Sequence, residues 1–128
     1  MKKKLGLILG VVLVSSSIMA FAGGTYSNYN TTVGKLNGSG YTGYQIKSIN
    51  GAAANLNSEV VGGNYTVDVR MQDSNGSVGD WSRDVNDNDS RLVDGSSQQI
   101  AGDSVRLQFS NDLTTAVDVQ VSGTWKSN

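Results

Sequence analysis

The chain has 128 residues, with 10 Lys or Arg, 11 Asp or Glu, and no His, Cys or Pro. The lack of Cys excludes disulfides and thiol chemistry, and the lack of His removes the commonest general base and zinc ligand. A formal net charge of −1 is not the basic excess expected of proteins that bind nucleic acid or anionic lipid.

The N-terminal segment predicts export. Lys2–Lys4 are followed by an apolar run from Leu5 to Val14 and then by Ala20-Phe21-Ala22. A basic start, a short apolar core and a small-residue cleavage site characterise a secretory signal peptide, and the run is too short to span a bilayer. We expect residues 1–22 to be removed. The product would be secreted, or periplasmic in a Gram-negative host, with no membrane anchor. The Lys-rich leader favours a bacterial source.

Residues 23–128 are long enough for a single domain. Removal of the leader takes away three basic residues and no acidic one, which leaves residues 23–128 with a net charge of −4. The first predicted strand covers Tyr26 to Val33, and a weaker one covers Tyr41 to Ile49, with Tyr44 and Ile46 on one face. The segment from Asn50 to Val61 is the only one with a helix-like composition, and its Gly-rich ends make even two helical turns doubtful.

The second half of the chain carries the clearest alternation. Asn64 to Asp73 places Tyr65, Val67, Val69 and Met71 on one face, as expected of a half-buried strand. The turn Asp73–Ser77 contains Asn-Gly and predicts a hairpin whose return strand, near Gly79–Val85, points Trp81 and Val85 inward.

The C-terminal region predicts a second hairpin. Val105, Leu107 and Phe109 alternate with polar residues, a turn begins at Ser110, and a second alternating run includes Val117, Val119, Val121 and Trp125. Gln98–Ala101 is a further short candidate strand. Six to eight short strands without a helix to cover them predict a small antiparallel β-sandwich, of jelly-roll or immunoglobulin-like type.

An Asp- and Asn-rich segment is the one candidate metal site. Its possible oxygen ligands for calcium are Asp84, Asn86, Asp87, Asn88, Asp89 and Asp94. The alternation of Asp84, Asn86 and Asn88 matches the first ligands of an EF-hand loop, but the Gly and the bidentate Glu of that loop are missing.

Residues 84–88 also resemble the D-x-N-D-N stretch with which cadherin repeats bind calcium. The resemblance implies calcium ligation here, although the proline and the partner motifs of cadherins are absent. The favoured interpretation is a solvated turn, with calcium as the alternative, and no other cofactor is predicted.

Tyrosines near the start of the domain are candidate ligand contacts. Tyr26, Tyr29 and Tyr41 lie in weakly patterned sequence, so we expect exposed rings there that suit sugar faces. Trp81 and Trp125 are instead expected in the core.

No pairing of a nucleophile with a base supports an enzyme, because a Ser nucleophile would lack His and no Ser–Lys spacing stands out. We therefore expect a secreted, non-enzymatic, monomeric domain that binds an extracellular protein or glycan and no nucleic acid. The alternative is a secreted bacteriocin or toxin that acts on neighbouring cells.

Overall fold

The structure, a computed structural model, describes residues 21–22 and 24–128. The predicted signal peptide lies outside these residues, apart from the backbone of its last two. The described residues form ten strands: β1 (Phe21–Ala22), β2 (Ser27–Val33), β3 (Ser39–Tyr41), β4 (Gln45–Ile46), β5 (Ala54–Val61), β6 (Val67–Asp73), β7 (Ser82–Val85), β8 (Asp89–Val93), β9 (Ser104–Ser110) and β10 (Val119–Lys126). Within this part of the chain there is no helix that could cross a membrane.

The strands form two sheets. Sheet one has the order β1-β4-β9-β6-β7, and β3 pairs with β9 on the same side as β4. Sheet two has the order β2-β10-β5-β8. The pairs are antiparallel except β1 with β4, which is parallel. The all-β prediction is confirmed, and the two-sheet arrangement is consistent with a β-sandwich, although it has more strands than the six to eight expected.

One hydrophobic core lies between the sheets. Tyr29 of sheet two and Phe109 of sheet one bring their ring centroids to 5.1 Å. The other buried hydrophobic residues come from both sheets: Val33, Ala54, Leu56, Val61, Val67, Val69, Met71, Val85, Val93, Val105, Leu107, Val119, Val121 and Trp125. The inward positions predicted by alternation in β6, β9 and most of β10 are therefore correct, because each of these strands covers the core with one face. The exception is Tyr65, which was placed on the buried face and is 39% exposed, because it lies in the connection before β6 begins at Val67.

The predicted C-terminal hairpin is wrong. β9 belongs to sheet one and β10 to sheet two, so residues 111–118 cross from one sheet to the other. Val117, expected in the second strand, is 43% exposed in this crossing. Alternation identifies the buried face of a strand but does not identify its partner, which explains the error.

The helix considered for Asn50–Val61 is absent; β5 occupies its second half. Ala54, Leu56 and Ser58 are buried on alternate positions, which is a strand pattern. Gln98–Ala101 is a turn rather than a strand. Its Gln99 is fully buried and bonds through Nε2 to the carbonyl oxygens of Met71 and Ser77.

Tyr44 and Ile46 share one face, as predicted, but that face is the less buried one. Tyr44 is 39% exposed, whereas Gln45 and Lys47 are buried. Gln45 donates to the carbonyl oxygen of Trp125 and accepts from the backbone N–H of Ser127. Buried backbone groups between the sheets need hydrogen-bond partners, and the polar side chains provide them.

Trp81 was expected to point inward and does not. It precedes β7, is only half-buried, and packs against the guanidinium group of Arg70, whose central carbon is 4.4 Å from the ring centroid. Val85, on the same predicted strand, is fully buried as expected. The pairing of β6 with β7 shifts register between Val67 and Val69, so simple alternation does not extend from Val85 back to Trp81.

Candidate functional site

The acidic residues proposed as calcium ligands surround the connection from β7 to β8. Asp87 accepts a hydrogen bond from the backbone N–H of Val61 at 2.6 Å. Asp89 forms an ion pair with Arg91, with 3.0 Å between Oδ2 and Nη2. These two carboxylates therefore support the local fold: one holds the connection to β5, and the other holds the Arg91 side chain.

The rest of this segment is shaped as a turn. Asp84 and Asn88 have φ angles of 58° and 50°, a left-handed conformation that Asp and Asn adopt more readily than most residues. The Asn86 side chain accepts from the N–H of Asp87, and Asp94 is exposed after β8. In the described part of the chain, no group of three or more acidic side chains is arranged to hold a metal ion. Calcium binding stays a prediction.

The three candidate tyrosines do not form one surface. Tyr29 is buried in the core, which corrects the expectation that it is exposed. Burial raises the pKa of its hydroxyl to about 12; the nearby Ser58 hydroxyl lowers this pKa and the Glu59 carboxylate raises it. Tyr26 is 44% exposed and lies beside Lys126 of sheet two. Of the three, Tyr41 alone lies on sheet one.

Tyr41 belongs to a larger group that alternation alone did not reveal. The outer face of sheet one, which we call the arginine–aromatic face, carries Tyr41, Tyr44, Arg70, Gln72, Trp81, Arg106 and Gln108. Tyr41 and Tyr44 are 38% and 39% exposed. The Arg106 guanidinium carbon lies 3.9 Å from the centroid of Tyr41 and 5.0 Å from that of Tyr44. An Arg positioned over an aromatic face is attracted by the ring quadrupole.

Pairing between β6 and β9 creates this arrangement. Arg106 is opposite Gln72, and Gln108 is opposite Arg70. Each Arg donates through Nε to the Gln opposite it, at 3.1 Å for Arg106 and 2.8 Å for Arg70. The Nε bond and the neighbouring ring together hold each guanidinium group in place. The terminal nitrogens of Arg70 and Arg106 have no hydrogen-bond partner among the described residues.

The face has an excess of positive charge although residues 23–128 together carry more acidic than basic side chains. Arg83 is paired with Asp68 at 2.7 Å. Among the described residues, neither Arg70 nor Arg106 has a carboxylate within 4.0 Å. Two guanidinium groups thus remain without a counter-charge, next to three aromatic rings.

A sequence signal for this site exists but is short. Residues 70–72 and 106–108 share the pattern Arg-x-Gln, with Arg and Gln at the polar positions of two alternating strands. In an antiparallel pair, this pattern places each Arg opposite a Gln if the register is right. The sequence does not specify that register, nor that β3 brings Tyr41 beside Gln108.

The outer face of sheet two has a different chemistry. Its central rows carry amides and hydroxyls that bond one another: Thr32 with Gln120, Gln120 with Asn30, Asn57 with Thr124, and Ser90 with Asn57. These side chains satisfy one another and carry no charge. The unmatched charge and the stacked rings therefore make sheet one the better candidate for ligand contact.

Comparison of the chain with protein-family models, with curated proteins and with solved structures finds no match to any of them.

Proposed function

We propose that this chain is an exported, non-enzymatic domain that binds a glycan through the arginine–aromatic face. The observation that carries the proposal is the set of fixed rings and guanidinium groups on one solvent-facing surface: Tyr41, Tyr44 and Trp81 with Arg70 and Arg106. Groups that are already held in place lose little conformational entropy on binding.

The chemistry of the face suits a sugar chain. The C–H faces of a pyranose ring are apolar and pack against an aromatic ring, while its hydroxyls need hydrogen-bond donors and acceptors. Gln72 and Gln108 supply amide groups between the rings, and Ser39 bonds to Gln108 at the edge. An open sheet face also accepts an extended polymer without demanding a deep cavity.

The strand order supports the same proposal by analogy. If β3 and β4 are counted as one interrupted strand and β1 is set aside, each sheet has four strands. Numbered along the chain, their orders are 1-8-3-6 and 2-7-4-5. We infer that this is a jelly roll, an eight-stranded sandwich built from two Greek keys, which is an architecture that lectins use. Fold analogy does not assign function, so the surface chemistry has to carry the argument.

Export is the second part of the proposal. Cleavage after Ala22 would remove β1, which touches the rest of sheet one through its pairing with β4. Expression of the full chain in a bacterial host that secretes it, followed by mass spectrometry of the recovered protein, tests this step. We expect an N-terminus at Gly23 and a monomer by size-exclusion chromatography. An intact leader on cell-retained protein would contradict the export proposal.

Binding is tested with the exported protein by affinity electrophoresis in gels that contain single polysaccharides, neutral and charged. We expect retardation in at least one gel, and we expect it to be lost in Tyr41→Ala. Tyr65→Ala is the matched control, because Tyr65 is also 39% exposed but lies in the connection between β5 and β6, beside Gly63, and has none of the contacts with Arg70 or Arg106 that define this face. Equal loss in both variants, or no retardation in any gel, would contradict the proposed function.

A further inference from the structure

The position of Arg70 and Arg106 narrows the class of ligand. They occupy diagonal positions of the β6–β9 pair, since Arg70 is opposite Gln108 and Arg106 is opposite Gln72. Diagonal neighbours on one face of an antiparallel pair lie about 7–8 Å apart. The two guanidinium groups therefore form a pair of cationic sites on one rigid surface.

Each guanidinium group is oriented in the same way. Its Nε donates to the Gln opposite, and its central carbon lies over an aromatic ring. This leaves the two terminal nitrogens as a free fork. A guanidinium fork matches the two oxygens of a carboxylate, sulfate or phosphate group, and such bidentate bonds are stronger than those between neutral groups.

The charge balance points in the same direction. Positive groups on a protein surface are commonly close to acidic ones, as Arg83 is to Asp68 and Arg91 is to Asp89. Arg70 and Arg106 are exceptions among the four arginines of the chain. Their charge is complementary to an anion, and a neutral sugar would leave it unmatched.

We infer that the ligand of the arginine–aromatic face is an anionic polysaccharide whose oxyanion groups are bound by the guanidinium forks of Arg70 and Arg106. This inference rests on the proposed glycan binding and adds the charge of the ligand. The rings of Tyr41, Tyr44 and Trp81 contact the sugar faces between the anionic groups. The overall acidity of the exported domain and the presence of only two unpaired arginines favour a glycan over single-stranded nucleic acid, which usually follows a larger basic groove.

The test uses pairs of polymers that share a sugar backbone, of which one carries free anionic groups and the other does not. Polygalacturonate is compared with its methyl ester for carboxylates, and dextran sulfate with dextran for sulfates. We expect the exported protein to bind at least one charged polymer about tenfold more tightly than its neutral partner, which corresponds to about 1.4 kcal/mol. We also expect this preference to decline with added salt, because exposed charges are screened.

Variants test whether the guanidinium groups of Arg70 and Arg106 cause the preference for the charged polymer. Arg70→Gln and Arg106→Gln should each reduce affinity for the charged polymer about tenfold. Arg106→Lys keeps the charge but loses the fork, and it should also weaken binding. Lys35→Gln removes one exposed positive charge outside this face and should bind like the original protein. Thermal unfolding of each variant verifies that its fold is intact.

The outcomes separate the two proposals. Equal binding of charged and neutral polymers, unchanged in the Arg variants, would overturn this inference and leave the proposed glycan binding in place. Failure to bind any polymer would overturn both. Unchanged binding in Arg106→Lys would overturn the role of the fork. Tighter binding of a single-stranded oligonucleotide than of every polysaccharide would also overturn the inference.

Discussion

The ammonium nitrogen of Lys47 lies 3.1 Å from the carbonyl oxygen of Ser127 and joins the ends of the two sheets. Lys47 follows β4 of sheet one, and Ser127 follows β10 of sheet two. A second hydrogen bond, of 2.6 Å, reaches the carbonyl oxygen of Ala52. The side chain is 1% exposed, and no carboxylate lies within 4.0 Å of it among the described residues. Burial consequently lowers the pKa of Lys47 below 10.5.

This burial gives the stability of the protein a pH dependence. Between the lowered pKa and 10.5, the unfolded chain binds the Lys47 proton more readily than the folded one. The contribution of this group to the free energy of unfolding therefore increases as pH rises through the folded pKa and levels off above 10.5. In Lys47→Met this contribution is absent, and the carbonyl groups of Ala52 and Ser127 lose their donor.

We expect Lys47→Met to lower the free energy of unfolding by about 1–3 kcal/mol near pH 10.5, because two buried carbonyl oxygens lose their donor. At pH 7 the loss should be smaller. Urea unfolding of both proteins, followed by tryptophan fluorescence across this range, measures the difference. Because Tyr29 is present in both, its own titration cancels. A difference that is constant with pH would contradict a buried, titrating Lys47.

Tyr29 should make the stability of the protein fall, rather than rise, at high pH. Its hydroxyl is buried without a hydrogen-bond partner, and its pKa is raised from 10.0 to about 12. A raised pKa of an acid means that the folded state prefers the neutral form. The associated stability is complete below pH 10.0 and is lost as pH rises through about 12.

We predict that Tyr29→Phe removes this alkaline loss. At pH 7 the variant should be as stable as the original protein or more stable by about 1 kcal/mol, since an unpaired buried hydroxyl is costly. Denaturant unfolding between pH 9 and pH 12 makes the comparison, with Tyr26→Phe as an exposed control. An alkaline loss of equal size in Tyr29→Phe would show that another group causes it.

The sequence was informative where one strand face covers the core. Val67, Val69 and Met71 of β6, and Val105, Leu107 and Phe109 of β9, are all buried as predicted. Apolar residues at every second position have a single favourable orientation when one side of the sheet is dry. The all-β class follows from these rows and from the lack of a helical pattern.

The sequence was not informative about polar side chains that are buried, or about features that depend on which strands pair and in which register. Lys47 and Gln45 are buried because backbone groups at the sheet ends need partners, and no hydropathy pattern contains that requirement. The candidate site depends on the register that brings Arg106 opposite Gln72. Register between distant segments is a tertiary property, so the site was visible only in the fold.

The acidic connection between β7 and β8 offers a test of the calcium alternative. The carboxylate of Asp87 accepts from the N–H of Val61, so Asp87→Ala should lower stability by about 1 kcal/mol with or without calcium. Asp87→Asn keeps an acceptor oxygen and should lower stability by less than Asp87→Ala does. Thermal unfolding in EDTA and in millimolar calcium distinguishes the two interpretations. A calcium-dependent rise of the midpoint that both variants abolish would favour a calcium site.

Gly123 is a backbone position that has no room for a side chain. It lies at the irregular register between β10 and β5, and a Cβ there would collide with the carbonyl oxygen of Asn57 and come within 2.8 Å of the Tyr29 hydroxyl. We expect Gly123→Ala to cost about 1–3 kcal/mol, as overpacked sites do. Gly43→Ala is the control, because a Cβ at Gly43 has no neighbour within 4 Å. Equal stability of the two variants in urea would mean that β10 can move away from β5 at little cost.

Substitution of the two tryptophans should have different effects, on stability for Trp125 and on ligand binding for Trp81. Trp125 is 1% exposed in the core, and Trp125→Ala should cost about 3–5 kcal/mol. Trp81 is half-buried beside Arg70 on the outer face of sheet one, so Trp81→Ala should lower the free energy of unfolding by about 1 kcal/mol or less, the size of an exposed cation–π contact.

The same Trp81 variant should lose affinity for the charged polymer, because Arg70 loses the ring that orients it. Urea unfolding and affinity electrophoresis on the same preparations measure both effects. Acrylamide quenching gives an independent check: the fluorescence that remains in Trp125→Phe, which comes from Trp81, should be quenched more strongly than that which remains in Trp81→Phe. The reverse order of quenching would place Trp81 in the interior and remove it from the proposed binding face.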